Sequence, residues 1–281
     1  MNTSTSSKVW FITGTSRGFG RIWAEAALER GDRVAATARN ITTLQPLVDK
    51  YGEAVLPMTL DITDAQADRL AVAQAFDHFG RFDVIVNNAG HGLFGAVEEV
   101  SEDEARRQID TSLFGALWIT QAALPHLRAQ GSGHIIQVSS LAGLVTIPYL
   151  GMYQAAKFGL EAYSEALAAE VAAHGINVTI VEPTPYDTDW VTVSTEVAAP
   201  NPAYDHIRAW WDDHYKGTTK AHPEGVRQAM LDLVDSDDPP LRLLLGSRGL
   251  PAVEAVYAQR LATWKAWKEV TDAADGPAAA A

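Results

Sequence analysis

The sequence predicts an α/β fold: a doubly wound parallel sheet of about seven strands flanked by helices. Three observations carry that expectation. Short β-branched apolar runs alternate with longer stretches of helical period, the pattern of βαβ units. Several of the short runs are apolar throughout, as strands covered on both faces should be. Composition supplies the material for a core, with 47% apolar and 20% charged residues in a chain of 281.

Taken in order, the first strand spans 9–13 and runs into a glycine-containing loop, with a helix from about Arg21 to Arg30. The second strand covers 33–36 and the third 54–60, followed by helix 65–79. The fourth strand, 82–87, precedes a long helical stretch over 102–130. Strand five (134–139), helix 153–174, strand six (177–182), helix 223–235 and strand seven (241–245) complete the alternation. No internal repeat and no Pro/Gly/Ser-rich linker interrupts it, so 1–281 reads as one domain. The segment 184–221 breaks the rhythm and carries Tyr186, Trp190, Tyr204, Trp210, Trp211 and Tyr215. It reads as a lid or wall over a substrate, against the plainer reading of rings that pack a surface helix onto the sheet. The C-terminal helix and tail occupy 251–281, and Trp264 and Trp267 there point to core or subunit packing.

Charge and composition exclude several functions. With 22 basic against 35 acidic side chains, net −13, the chain lacks the basic balance of a nucleic-acid binder. The absence of cysteine removes disulfides, thiolate catalysis and zinc–thiolate sites. The eight histidines show no ligand spacing, so no metal is expected. The first seven residues lack the apolar core of a secretory signal, and no stretch approaches the roughly 18 apolar residues of a membrane span. A cytoplasmic protein without nucleic-acid or membrane partners is the expectation.

Two constellations carry chemistry. Strand one leads straight into Thr13-Gly14-Thr15-Ser16-Arg17-Gly18-Phe19-Gly20 and then a helix. Glycines let backbone approach a diphosphate, which the positive end of a helix dipole favours. An NAD site usually places a carboxylate at the end of strand two. None occurs in Val34-Ala35-Ala36-Thr37-Ala38-Arg39-Asn40, where Arg39 stands instead. Arg17 and Arg39 together suit a ribose 2′-phosphate, unless they are solvated surface residues. Asp61 is placed to bind an adenine amino group or to cap the next helix. The second constellation is Ser140 with Tyr153 and Lys157, the last two one helical turn apart. An ammonium beside the phenol lowers its pKa, allowing Tyr153 to pass a proton to or from an alcohol or carbonyl oxygen. Ser140, at the end of strand five, can hydrogen-bond that oxygen.

With these motifs in place the chain resembles the short-chain dehydrogenase/reductase family over nearly its whole length, and so a Rossmann-type fold. The family's glycine motif matches Thr13, Gly14, Gly18 and Gly20, and its Asn-Asn-Ala-Gly motif matches Asn87, Asn88, Ala89 and Gly90. Arg17 stands where the extended relatives have a second glycine, which favours the dehydrogenase type. The resemblance makes Ser140, thirteen residues before Tyr153, the catalytic serine in preference to Ser139. It makes Tyr153 the acid/base, and Lys157 the residue that tunes it and holds the nicotinamide ribose. It also implies NADP(H) bound by Gly14, Ser16, Arg17, Gly18, Phe19, Gly20, Arg39, Asp61, Ile62, Asn88, Ala89, Gly90, Tyr153, Lys157, Pro183 and Thr188. Pairing of subunits through 102–130 and 153–174 as a homodimer or homotetramer is implied as well.

The chain departs from the family in two places. Ser112 stands where the fourth helix usually carries an asparagine of the proton relay, either as natural tolerance or as an introduced change. After strand six, Thr184 and Pro185 replace small or flexible residues, which should stiffen the lid hinge. The expected function is NADP-dependent interconversion of a bulky, mostly apolar ketone and its secondary alcohol. His91, Phe94, Leu144, Tyr149, Tyr186 and Trp190 are the candidate pocket walls. The rival readings are a C=N or C=C reductase on the same fold and a weakly active NADP-binding regulator. On this reading Ser112→Asn keeps or raises turnover, and a marked loss of steady-state rate would count against it.

Overall fold

A computed structural model describes residues 7–276 apart from 189 and 217. Residues 1–6 and 277–281, and the two lid positions 189 and 217, thus lie outside the described residues. The main sheet has seven parallel strands in the order β3-β2-β1-β4-β6-β7-β9. In chain order the elements are β1 (Val9–Ile12), α1 (Gly18–Glu29), β2 (Arg33–Ala38), α2 (Gln45–Tyr51), β3 (Val55–Thr59) and α3 (Ala65–Phe79). They continue with β4 (Val84–Asn87), β5 (Gly92–Phe94), α4 (Glu102–Ile109), α5 (Gly115–Gln130), β6 (Gly133–Val138) and α6 (Gly151–Val171). The last third holds β7 (Ile176–Pro183), α7 (Trp190–Val193), β8 (Thr195–Val197), α8 (Asp205–Lys216) and α9 (Gly225–Asp235). It ends with β9 (Arg242–Leu245), α10 (Gly249–Ala266) and α11 (Lys268–Ala273). All seven strands read from the sequence are present.

Alternation along each strand divides the core into two layers. Trp10 and Ile12 of β1 face one way, packing with Ile22 and Trp23 of α1 and Met230 and Leu233 of α9. Val9 and Phe11 face the other way, against Val72 and Phe79 of α3, Ile119 and Leu127 of α5, and Leu167 of α6. Covering both faces is what a parallel sheet requires. The strand order reverses between β1 and β4, so the loops after these two strands diverge and open a crevice at their carboxyl ends.

The structure corrects the sequence reading in several elements. The stretch 102–130 is not one regular helix: a π-helical turn at Asp110–Phe114 separates α4 from α5. Just after it, Gly115 lies so close to Ile62 that a Cβ would stand 2.7 Å from its carbonyl oxygen. Such single-turn widenings are irregularities that a 3.6-residue period cannot foretell. The lid is partly regular: β8 pairs in parallel with β5 in a separate two-stranded sheet. The aromatic stripe of the C-terminal helix is not in the core of this chain. Leu261, Trp264, Trp267 and Val270 are exposed, and α10 buries only Gly249.

One buried group opposes folding. Asp68 of α3 is fully buried, and neither carboxyl oxygen has a hydrogen-bond partner among the described residues. Burial, aided by Asp64 and Asp61, pushes its pKa up to about 8. An acid raised in the folded state favours folding fully only below its unfolded pKa, and that contribution is lost as pH rises through 8. Asp68→Asn removes this loss. In thermal melts the variant is expected to gain over the parent between pH 5 and 8, reaching about 2 kcal/mol. Parallel pH dependence in the two proteins would show that Asp68 does not titrate as described.

Candidate active site

The site begins with backbone that only glycine allows. Gly14 and Gly18 bend the loop after β1 with φ of +70° and +59°. Gly20 lets the loop fold onto the end of β4, since a Cβ there would stand 2.5 Å from Asn88 Nδ2 and from the Gly14 carbonyl oxygen. Asn88 secures that approach by donating from Nδ2 to the carbonyls of Thr13 (2.8 Å) and Gly14 (3.1 Å). The Thr13 hydroxyl in turn accepts from the backbone N–H groups of Asn88 and Ala89. Gly20 is therefore a packing residue of the loop and is not among the residues that line the cavity.

Above this knot a cavity of about 830 Å³ extends from the glycine loop to Tyr153 and the lid. Gly18 presents bare backbone to it, with nothing within 4 Å of where a Cβ would be. The first turn of α1 has no side-chain cap and no acidic residue, so its N–H groups and dipole remain available to an anion. These features fit a dinucleotide diphosphate. Ser16, Arg17, Phe19, Arg39, Asp61, Ile62, Asn88, Ala89, Gly90, Pro183 and Thr188 also line the cavity. Asp61 is not the helix cap: Asp64 caps α3, accepting from Gln66 and Ala67 N–H. Asp61 instead accepts from the backbone and hydroxyl of Thr63. Arg17 reaches across to the lid, its Nε donating to Ser194 Oγ at 3.2 Å.

Ser140, Tyr153 and Lys157 come together on the cavity wall. Ser140 caps a short 3₁₀ turn, its Oγ accepting from Ala142 N–H at 3.1 Å, and its side chain is hydrogen-bonded to Tyr153. Lys157 Nζ donates to the Val138 carbonyl at 2.7 Å and stands 5.9 Å from the centre of the Tyr153 ring. The electrostatics differ from expectation. Burial pushes the Tyr153 phenol up to about 12, against the smaller effect of the Ser140 hydrogen bond. Burial likewise draws Lys157 down to about 8, opposed by the charge of Glu161. Desolvation of the tyrosine outweighs the neighbouring cation, which is turned to a carbonyl, so Tyr153 keeps its proton at neutral pH.

Ser112 is not on the cavity wall. The π-turn buries it beneath Gly90, and its Oγ accepts from Gln108 Nε2 at 2.8 Å. Gln108, fully buried and also donating to the His91 carbonyl, went unnoticed because an isolated glutamine carries no motif. Of the expected pocket residues, His91, Tyr186 and Trp190 line the cavity. Burial lowers the His91 pKa. Trp190 stands 5.1 Å from the Tyr153 ring, while Tyr186 meets Phe19 edge-on over the glycine loop. Phe94, Leu144 and Tyr149 do not line it. Phe94 is buried behind the wall, with Tyr149, Trp190 and Trp211 around it. The Leu144 carbonyl is taken by Arg260. Trp211, His214 and Tyr215 of α8 form wall in their place. The four-residue spacing of Trp211 and Tyr215, stacked at 5.5 Å, was the available signal. The segment around β8 is tied to the region after β4 by Gly92 N–H on the Ser194 carbonyl and by the Arg107–Glu196 ion pair at 3.0 Å.

Residues 8–198 match the family described as short chain dehydrogenase. Oxidoreductase BOA17 of Botryotinia fuckeliana is 39% identical over 269 residues, covering 94% of this chain and 98% of that protein. A short-chain dehydrogenase from Streptomyces avermitilis superposes with a TM-score of 0.88 at 35% identity, over 95% of this chain and 98% of the other. An alcohol dehydrogenase from the archaeon Thermococcus sibiricus, complexed with 5-hydroxy-NADP, gives a TM-score of 0.72 at 26% identity, covering 85% and 96%. With the glycine loop and the Ser140–Tyr153–Lys157 cluster on one cavity, these likenesses show that the chain belongs to the short-chain dehydrogenase family of oxidoreductases.

Proposed function

We propose that the protein is an NADP(H)-dependent oxidoreductase that interconverts a bulky, mostly apolar ketone and its secondary alcohol. The observation that carries this reading is one cavity with cationic, glycine-bent backbone at one end and Ser140, Tyr153 and Lys157 at the other. The Thermococcus sibiricus alcohol dehydrogenase, complexed with an NADP derivative, supports both the carbonyl chemistry and the nucleotide. The nicotinamide, when bound, supplies the hydride. In reduction Tyr153 gives its proton to the carbonyl oxygen, and its raised pKa keeps that proton in place at neutral pH. Ser140 Oγ accepts from Ala142 N–H, and its proton, directed at Tyr153, can turn to the same substrate oxygen. Trp190, Trp211 and Tyr215 form an apolar wall beside these groups, which favours a bulky ketone.

Arg17 and Arg39 on the cavity wall, with no carboxylate at the end of β2, support NADP over NAD. A dimer or tetramer formed through α4, α5 and α6 belongs to the same reading. Phe114, between α4 and α5, is exposed and leans on Trp118, which gives such an interface an apolar anchor. The lack of cysteine accords with a reducing cytoplasm.

A spectrophotometric assay of NADPH and NADH oxidation over a panel of ketones tests the activity. Tyr153→Phe is expected to lower turnover by about 100-fold or more, with NADPH binding by fluorescence unchanged. Retained turnover would refute the assignment. Arg39→Ala is expected to raise KM for NADPH about tenfold while leaving that for NADH nearly unaltered. An equal effect on both nucleotides would remove the case for NADP.

A further inference from the structure

We infer that Glu161 is a positioning residue for proton transfer: with Glu182 and Arg242 it forms a buried ionic support that holds Lys157 as an ammonium ion. The inference rests on the roles given above to Tyr153 and Lys157. Helix α6 carries Tyr153, Lys157, Glu161 and Glu165 at four-residue intervals, hence along one face. The first two reach the cavity, and the next two continue behind it toward the edge strand β9. From that strand Arg242 bonds Glu161 directly, Glu165 at 2.8 Å and Glu182 of β7 at 3.3 Å. Glu161 and Glu182 are buried, whereas Glu165 is exposed. The second oxygen of Glu161 is not used by the arginine. Oε1 and the Ser139 hydroxyl stand 3.1 and 2.6 Å from the point where a Gly143 side chain would begin, and neither has a hydrogen bond elsewhere. Ser139 lines the cavity, so this carboxylate sits one residue behind the wall.

Two buried carboxylates, Glu161 and Glu182, share one guanidinium, and ionised together they leave an excess of negative charge that persists only beside another cation. Lys157, one turn away, is that cation. Its other neighbours are not anions: Val138 offers a carbonyl, Tyr153 a ring and hydroxyl, Ser112 lies across Gly90, and His91, whose pKa burial lowers, brings no negative charge. Glu161 opposes the burial that would strip Lys157 of its proton. Glu182, raised to about 7 by burial and by Glu161, loses its proton as pH passes neutrality, so both buried carboxylates are ionised where the alkaline limb is read.

Glu161→Gln keeps the shape and removes the charge. With NADPH and the ketone turned over fastest, the alkaline limb of kcat/KM for reduction is expected to move down by about one pH unit. Glu161→Asp, which retains the charge, restores the parental limb, and Glu165→Gln, at the exposed side of the same guanidinium, leaves it in place. Should Glu161→Gln fail to fold, Ser139→Ala is the smaller change, and by withdrawing the hydroxyl near Oε1 it moves the limb in the same direction. A rate lowered equally at every pH, or an unmoved limb in the folded variant, would reduce Glu161 to a packing residue. The two readings fail separately. An active Tyr153→Phe removes the site assignment itself, whereas an inactive Tyr153→Phe beside an unshifted Glu161→Gln removes only this inference.

Discussion

Four hydrogen bonds between Thr13–Gly14 and the Asn88–Ala89 turn decide where everything else in the site can stand. They join the ends of β1 and β4, the two central strands between which the order of the sheet reverses. A half-buried side-chain amide that satisfies two carbonyls while the backbone N–H of the same residue satisfies a hydroxyl leaves little freedom for either loop. Gly14 and Gly20 are required by that closeness, and the residues that follow, Gly90 and His91, are placed by it. The cavity is thus the space left above a tightly closed seam, with nucleotide-facing backbone on one side and the acid–base cluster on the other.

Much of this was legible in the sequence because it depends on short-range chemistry. Apolar runs flanked by helical periods marked all seven strands, and the glycine loop and the Tyr153/Lys157 spacing located both ends of the cavity. Features set by long-range packing were not legible. The pairing of β5 with β8 joins three-residue strands about a hundred residues apart, too short for either to show a period. Phe94, Leu144 and Tyr149 lie in segments that border the pocket, but their rings and carbonyls serve the layer behind it. The departure of Tyr153 from a lowered pKa is of the same kind. Sequence spacing reveals the cation at Lys157, and only the fold reveals how completely both groups lose water.

The acidic chain keeps its positive charge where an anion would enter. Arg17, Arg39, Arg107, Lys157 and Arg248 all border the cavity, within a molecule of net charge −13. Local placement, and not the overall sum, sets the potential felt by an approaching dinucleotide. Two of these arginines also hold the lid, Arg17 through Ser194 and Arg107 through Glu196.

The small sheet formed by β5 and β8 gives that lid a mechanical consequence. Strand β5 starts two residues beyond Gly90, so it is the direct continuation of the seam at Asn88. The β5–β8 ladder therefore fastens the aromatic segment 184–221 to a strand that starts beside the seam, so the cavity wall and its base share one short stretch of backbone.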